Sequence, residues 1–306
     1  MPIGSLDVIN NFPYQDIRDY YAKWYRPDLQ GIMIVGDINV DEMEAKLKKV
    51  FADVKAPVHP ANRIYYPVAD NQEPLIFIGT DKEIETPSIS FFFKSEAFPD
   101  SLKNTINYYG IQYMLSMGIS MLNSRLAEIR QQADPPFTGA SAGYGDFFVA
   151  KTKSAFGIDA SSKIGGIELA MKTILEEAER ARRFGFTETE YDRARANYLQ
   201  RVESAYNERE KMKNDTYVNE YISNFLDNEP MPGIEYEYAM MNKLAPNIPV
   251  TAINQVMQQL ITDNNQVVLL AGPEKEGLKY PTKEEITALL LSLIHISEPT
   301  RLGMIS

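Results

Sequence analysis

Residues 12–36 read FPYQDIRDYYAKWYRPDLQGIMIVG, and residues 248–272 read IPVTAINQVMQQLITDNNQVVLLAG. The two stretches align without a gap at an offset of 236 residues, and their prolines and final glycines coincide. Few residues are identical, but the apolar positions correspond: Ile17 matches Ile253, and Trp24 matches Leu260. Such a repeat predicts two homologous domains in tandem. Because only 11 residues precede the first copy, we expect the tail of one domain followed by one whole domain.

Each copy of the repeat predicts a helix followed by a strand. In the first copy, apolar side chains at helical spacing predict a helix over residues 13–25, and the run GIMIVG predicts a buried strand over residues 31–36. In the second copy the same reasoning predicts a helix over residues 250–260 and a strand over residues 266–272. A further helix is predicted over residues 41–51.

The remaining pattern places strands among long helices. Four prolines punctuate residues 55–74, which we interpret as an extended linker. Within the following strand prediction, Ile89, Phe91 and Phe93 alternate with polar residues, and only Phe92 breaks the alternation. Predicted strands cover residues 75–79, 88–94, 139–149 and 155–161, and predicted helices cover residues 102–132, 165–183, 187–226 and 281–290. The last-but-one helix opens with a Thr187/Glu190 capping box. These elements predict an α+β fold with a mostly antiparallel sheet and helices packed on one face.

Composition restricts the classes of function. The chain has 306 residues, of which 44% are hydrophobic and 24% charged, as is ordinary for a globular protein. The net charge of −11 argues against nucleic acid as a partner, because phosphates would be repelled. The absence of cysteine excludes disulfides, thiolate metal sites and cysteine nucleophiles. No apolar stretch reaches the roughly 20 residues that a membrane span needs.

The sequence offers no catalytic, cofactor-binding or metal-binding residue. The two histidines, His59 and His295, lack a second ligand at the spacing of a helical zinc motif. The acidic pairs Glu176/Glu177 and Glu188/Glu190 are interpreted as solvated helix faces and a helix cap rather than an acid–base pair. The glycine-rich residues 139–145 lack a following Lys-Ser/Thr, so we interpret them as a tightly packed strand rather than a phosphate-binding loop.

The end of the chain differs from the rest. Residues 291–306 contain LSLIHISEPTR, which matches neither the preceding helix nor the repeat. This run resembles translated sequencing-adapter read-through, and the alternative is a native strand-turn segment. We expect a non-native tail with poor order after about residue 290 and no function there.

Around the first repeat, the segments KWYRPD (23–28) and IVGDI (34–38) resemble the closing part of the catalytic domain of insulinase-like M16 zinc metallopeptidases. Residues 75–275 resemble the second, non-catalytic domain of that family. The segments LNSRLAEIR (122–130) and GASAGY (139–144) are most similar to long, four-domain bacterial members. On this resemblance we divide the chain into a catalytic-domain remnant (1–54), a linker (55–74), a second domain (75–278), the start of a following segment (279–290) and the tail (291–306).

The resemblance implies tandem domains that form two halves, which close around a peptide. It places the zinc on an H-x-x-E-H motif and a later glutamate, all upstream of Met1. In active pairs of this family, an arginine and a tyrosine seven residues apart contact the scissile carbonyl. Seven residues after Arg130 stands Phe137, which has no hydroxyl, and Tyr144 lies 14 residues away. We therefore assign no arginine–tyrosine role to this chain.

Two functions are consistent with this resemblance. The first is a fragment of a zinc metallopeptidase that contributes a structural, peptide-chamber domain and is inactive alone. Its partners would be the missing N-terminal catalytic part, the second half of the parent and a peptide substrate. Zinc is expected in the full-length parent, which would be periplasmic like many bacterial members. The second is a non-enzymatic peptide-binding or assembly subunit of the same family. An unrelated binding module would require the repeat to be coincidental.

Overall fold

A computed structural model describes residues 4–292 of the chain, which divide into two compact units. The small unit comprises the described residues up to Ile64 together with Glu210–Met231. The sheet unit comprises Tyr65–Arg209 and the described residues from Pro232 onward. His295 and the predicted tail from residue 293 onward lie outside the described residues.

The described chain is mainly helical, with five strands. The helices are α1 Leu6–Asn11, α2 Tyr14–Trp24, α3 Val40–Val50, α4 Asp100–Lys103, α5 Ile106–Arg130, α6 Ile167–Phe184, α7 Glu188–Asn207, α8 Asn214–Asp227, α9 Ile234–Leu244, α10 Val250–Leu260 and α11 Lys283–Ser292. The strands are β1 Leu75–Asp81, β2 Ser88–Glu96, β3 Gly139–Asp146, β4 Lys153–Ser161 and β5 Gln266–Pro273. Of the helices, α1 and α9 had no counterpart among the sequence predictions.

The helices of the sequence repeat are confirmed, but only one of its two strands is. Helices α2 and α10 begin and end at corresponding positions of the two copies. In the second copy, β5 follows as predicted. The strand prediction for residues 31–36 was wrong, because these residues are not in a strand and Ile32 is 57% exposed. A strand needs a neighbour for its backbone hydrogen bonds, and the described residues of the small unit contain no other strand.

Two long helix predictions were also wrong in their extent. The helix that opens at Thr187 does form the predicted capping box, but α7 ends at Asn207 instead of continuing to Leu226. A 3₁₀ turn at Arg209–Lys211 separates it from α8. The break falls where the chain passes from the sheet unit to the small unit, a tertiary feature without a proline or glycine signal. Likewise, Thr105 caps a new helix and divides the predicted helix 102–132 into α4 and α5.

The α+β prediction is confirmed by a five-stranded mixed sheet in the order β1-β5-β2-β4-β3. Strands β1 and β5 pair in parallel, and the other three pairings are antiparallel. The alternation noted in β2 sets its orientation, because Ile89, Phe91 and Phe93 are buried in the core of the sheet unit. Buried side chains of α5, α6 and α10 pack in the same core. The opposite sheet face, called the open face below, carries the alternate residues.

The residues described here contain no helix that is both long and apolar enough to cross a membrane.

Candidate functional site

The structure places the residues weighed as metal ligands apart from one another. His59 is exposed and has a backbone φ of 58°. Within residues 4–292, no group of three or more histidine, aspartate or glutamate side chains is arranged to hold a metal ion. The part of the chain that the structure describes therefore offers no set of ligands for a metal-activated water.

The residues considered for contact with a scissile bond also lie apart. Arg130 is exposed at the last position of α5, whereas Phe137 is 1% exposed and belongs to the core. Tyr144 lies in β3, with its hydroxyl 3.4 Å from Ser95 Oγ. Phe137 thus has a packing role.

Of the acidic residues, Glu190 has the predicted capping role. Its carboxylate accepts hydrogen bonds from Thr187 N and Thr187 Oγ1, both at 2.8 Å, and from Arg125 Nε at 2.6 Å. The solvated-face prediction was wrong for Glu177, which is buried and forms an ion pair with Arg180. The carboxylates of Glu190 and Glu177 are thus each paired with an arginine in the structural framework.

The open face of the sheet unit is the surface that we consider as a ligand-binding site. One row of residues crosses all five strands on this face in the order Leu75, Val267, Phe92, Gly157 and Gly143. The row runs from large apolar side chains at the β1 edge to glycines at the β3 edge. Large apolar side chains therefore project from the β1 side of the open face, whereas no side chains project from the glycines on its β3 side.

The β1 side of the open face exposes apolar area to solvent. Leu75 is 53% exposed and Phe77 is 63% exposed. Their neighbours Ile76 and Ile78 point the other way and pack against the core. Large apolar side chains that are exposed together commonly mark a surface that binds another molecule.

The β3 side of the open face is lined by glycine. A Cβ atom added at Gly139, Gly143 or Gly145 would meet no atom within 4 Å, so space is open above these residues. At Gly157 an added Cβ would lie 3.3 Å from the ring of Phe92, which therefore leans over this glycine. The glycines leave room for a ligand to approach the backbone closely.

An aromatic cluster stands between the two sides. The loop joining β3 and β4 carries Phe147 and Phe148, whose rings lie 5.9 Å and 5.2 Å from the Phe92 ring. Phe148 is 59% exposed, and the next residue, Val149, is 95% exposed. Phe148 also has a left-handed backbone with φ of 55°, which costs about 1–3 kcal/mol for a non-glycine residue. Strain and apolar exposure together make this loop a candidate for binding.

Two buried lysines support one end of the open face. Lys94 donates to Ala69 O at 2.5 Å, and Lys153 forms ion pairs with Asp70, at 2.8 Å, and with Glu96. Burial lowers the pKa of Lys94, whereas hydrogen bonds to Asp70 and Glu96 raise the pKa of Lys153. Because both ammonium groups are held by the protein itself, this cluster anchors structure.

The segment held by these lysines is the end of the predicted linker. Asn71 N donates to Asn265 Oδ1 at 2.9 Å, and Asn265 N donates to Asn71 O at 2.8 Å. Asn71 Nδ2 also donates to Gln266 O at 2.9 Å. Residues 69–71 are therefore fixed to the end of the sheet. The sequence could not reveal this, because the partners lie nearly 200 residues away.

The open face combines apolar and polar groups. Besides aromatic rings, aliphatic side chains and accessible backbone, its described residues include Ser90, Asp159 and Ser141, which form one row across β2, β4 and β3.

The sequence had singled out Phe92, which breaks the alternation in β2, and the glycine-rich residues 139–145. The latter do form a strand, but the prediction of tight packing was wrong on this face, because a Cβ at Gly139, Gly143 or Gly145 meets no atom within 4 Å. The two lysines and the exposed loop residues gave no comparable signal.

The family model described as the peptidase M16 inactive domain matches residues 11–198, more than half of the chain. The chain belongs to the peptidase M16 family. The predicted resemblance to insulinase-like M16 proteins is thereby confirmed.

Two curated relatives of this M16 chain are named as zinc proteases. A zinc protease PQQL-like protein of Arabidopsis thaliana is 27% identical over 275 residues, which are 90% of this chain and 25% of that protein. The probable zinc protease PqqL of Escherichia coli K12 is 23% identical over 260 residues, which are 85% of this chain and 27% of that protein. The M16 chain thus spans about a quarter of the length of these relatives.

Solved structures show the same fold. The crystal structure of the periplasmic protease PqqL from Escherichia coli matches with a TM-score of 0.83 and 20% identity, covering 99% of this chain and 33% of that chain. A structure of the first half of that protease matches with a TM-score of 0.82, covering 99% of this chain and 64% of that half. At this identity the likeness concerns the fold.

Proposed function

We propose that this chain is a non-catalytic section of an M16 zinc protease and that its open face binds extended peptide. The observation that carries the proposal is the open face, with its strained aromatic loop, exposed apolar side chains and glycine-lined strand. The name of the matching family model, the inactive domain, agrees with a section that binds without catalysing.

The rest of the protease is proposed to lie outside this chain. The curated relatives are between three and four times as long and are named as zinc proteases, so we place the zinc and its ligands in their additional length. Residues 1–54 then correspond to the end of a catalytic domain, 55–74 to a linker and 75–278 to the non-catalytic domain. Residues 279–290 begin a following segment. A periplasmic location is proposed because the PqqL structure is described as that of a periplasmic protease.

The small unit supports the proposal of missing partners. Helix α2 exposes Ile17, Tyr20 and Tyr21, and the segment after it exposes Ile32 and Ile34. These apolar side chains lie where the sequence predicts a helix with an apolar face and a buried strand. We propose that the catalytic part of the longer protease covers them and that the second half closes over the peptide.

A binding measurement with two matched variants tests the role of the open face. We expect an unstructured, fluorescently labelled peptide with apolar side chains to bind the purified chain. Phe148→Asp should weaken this binding at least about tenfold, because burying an aromatic side chain contributes about 1.5–3 kcal/mol. Aspartate also tolerates the left-handed backbone better than phenylalanine does. Fluorescence anisotropy over a concentration series measures both affinities.

The control is Leu169→Asp, which removes an equally exposed apolar side chain from α6. Leu169 lies on a helix rather than on the open face. The peptide affinity of the Leu169→Asp variant should therefore stay within about twofold of the parent, a difference below 0.5 kcal/mol. Equal loss in both variants, or equal retention, would contradict binding at the open face.

A further inference from the structure

Strand β3 forms one edge of the sheet, because β4 lies on one side of it and no strand of the described chain lies on the other. An unpaired strand edge presents backbone donors and acceptors that can pair with another chain. Proteins protect such edges with charged side chains, prolines, bulges or a covering element. Residues 139–145 of β3 read GASAGYG and contain neither charge nor proline, and the one charged residue of the strand, Asp146, stands at its end.

The centre of this edge is occupied by a side chain from α5. Asn123 Nδ2 donates to Ala142 O at 3.0 Å, and Ala142 N donates to Asn123 Oδ1 at 2.7 Å. The side-chain amide thus uses both backbone groups of one residue, as a residue on a neighbouring strand does. Asn123 reproduces one hydrogen-bonded pair of an antiparallel ladder.

The alternation of an antiparallel pair shows which other groups face outward. Along such a strand, residues whose backbone N–H and C=O bond to the neighbouring strand alternate with residues whose backbone N–H and C=O point away from it. The backbone groups of Ala142 point away from β4, since they bond to Asn123. The backbone groups of Ala140 and Tyr144, two residues to either side, therefore point away from β4 as well. If two β3 edges met antiparallel about Ala142, Ala142 would face Ala142, and Ala140 would face Tyr144. Such a pair would place no two charged side chains of β3 opposite each other.

We propose that Asn123 closes the edge of β3 against strand pairing with a second copy of this chain. The open space above Gly139 and Gly143 leaves no side chain to hinder such pairing on the open face. The Asn123 amide occupies the central pair of the hypothetical two-copy ladder, so a second strand must displace both of its hydrogen bonds. The closure is independent of peptide binding at the open face.

Sedimentation velocity over a concentration series tests the closure. Asn123→Ala should raise the self-association constant at least about tenfold, equivalent to 1.4 kcal/mol. The matched control is Ser124→Ala, since Ser124 is exposed and its hydroxyl donates to Ser120 O of its own helix, at 3.0 Å. This control should sediment as the parent does.

A second variant locates the association. Adding Gly143→Lys to Asn123→Ala should restore the behaviour of the parent, because a lysine on the edge strand repels a second copy. The added side chain has room, since a Cβ at Gly143 meets nothing within 4 Å. A natively folded Asn123→Ala variant that sediments like the parent would overturn the proposal. Association that Gly143→Lys does not reverse would also overturn it.

Amide hydrogen exchange in the unaltered chain decides the matter if Asn123→Ala does not fold. The Ala142 amide should exchange slowly, whereas the outward amides of Ala140 and Tyr144 should exchange fast. Equal protection of the three amides would show that Asn123 does not selectively close the edge.

Discussion

At the scale of single residues, Glu190 shows how a carboxylate in an M16 domain serves the framework. Burial alone would raise the pKa of Glu190. Hydrogen bonds from Arg125 and Thr187 outweigh that effect and lower the pKa to about 2. The capping role was predictable from the spacing of Thr187 and Glu190. The partner Arg125 was not, because it lies 65 residues away on α5.

Removing this carboxylate should destabilise the fold in a pH-dependent way. Glu190→Ala should lower the free energy of unfolding by about 1–3 kcal/mol at neutral pH, because it leaves Arg125 partly unpaired. A carboxyl group with a lowered folded-state pKa stabilises the fold above its unfolded value of 4.5, and this contribution is lost towards pH 2. Urea unfolding of parent and variant between pH 7 and about pH 2–3 measures the difference, which should shrink below pH 4.5.

The control for this prediction is Glu188→Ala, an exposed glutamate in the first turn of the same helix. It should change stability by no more than about 0.5 kcal/mol. A constant difference between the parent and the Glu190 variant across the pH range would contradict the assigned pKa.

Phe92 is the residue where the sequence came closest to revealing the candidate site. Its apolar side chain breaks the alternation of β2, and the structure places it on the open face beneath the aromatic loop. The strained backbone of Phe148 could not be predicted, because a positive φ at phenylalanine has no sequence signal. The site therefore needed the structure for most of its residues.

At the scale of elements, the crossing of α5 and α10 depends on one glycine. A Cβ at Gly118 would lie 2.5 Å from Met257 Sδ and 2.8 Å from Met257 Cγ, and Met257 is fully buried. Gly110 lies in the same helix, but a Cβ there would meet nothing within 4 Å. A methyl group added at Gly110 would thus change helix propensity alone, whereas one added at Gly118 would also disturb the packing of α5 against α10.

Alanine at these two positions should act in opposite directions. Gly110→Ala should stabilise the chain by about 0.5–1 kcal/mol through helix propensity. Gly118→Ala should destabilise it by about 1–2 kcal/mol, because Met257 must move within a packed core. The midpoints of chemical unfolding report both changes. A Gly118 variant as stable as the Gly110 variant would contradict the close approach of α5 and α10.

The repeat also shows what sequence pattern can predict at this scale. Helical periodicity located α2 and α10 at corresponding positions, because a helix satisfies its own backbone within one segment. The apolar runs after these helices are equally strand-like, yet only residues 266–273 form a strand. That strand has β1 and β2 as neighbours, so strand formation depended on partners that the local sequence does not report.

At the scale of the whole molecule, the M16 chain is proposed to bind peptide as one section of a longer zinc protease. The fold class and family were predictable, because they rest on repeat spacing and motif order. The boundary between the units was harder to predict, since residues 210–231 belong to the small unit although they follow most of the sheet unit. Which unit residues 210–231 belong to is decided by contacts with residues that are distant in the sequence.

The central claim is that this chain binds peptide without hydrolysing it. The most direct measurement incubates the purified chain with zinc and a short fluorogenic peptide, in the presence and absence of a chelator. We predict no chelator-sensitive release of fluorescence, because the zinc ligands are proposed to lie in the rest of the protease. Zinc-dependent turnover that the chelator abolishes would contradict the account.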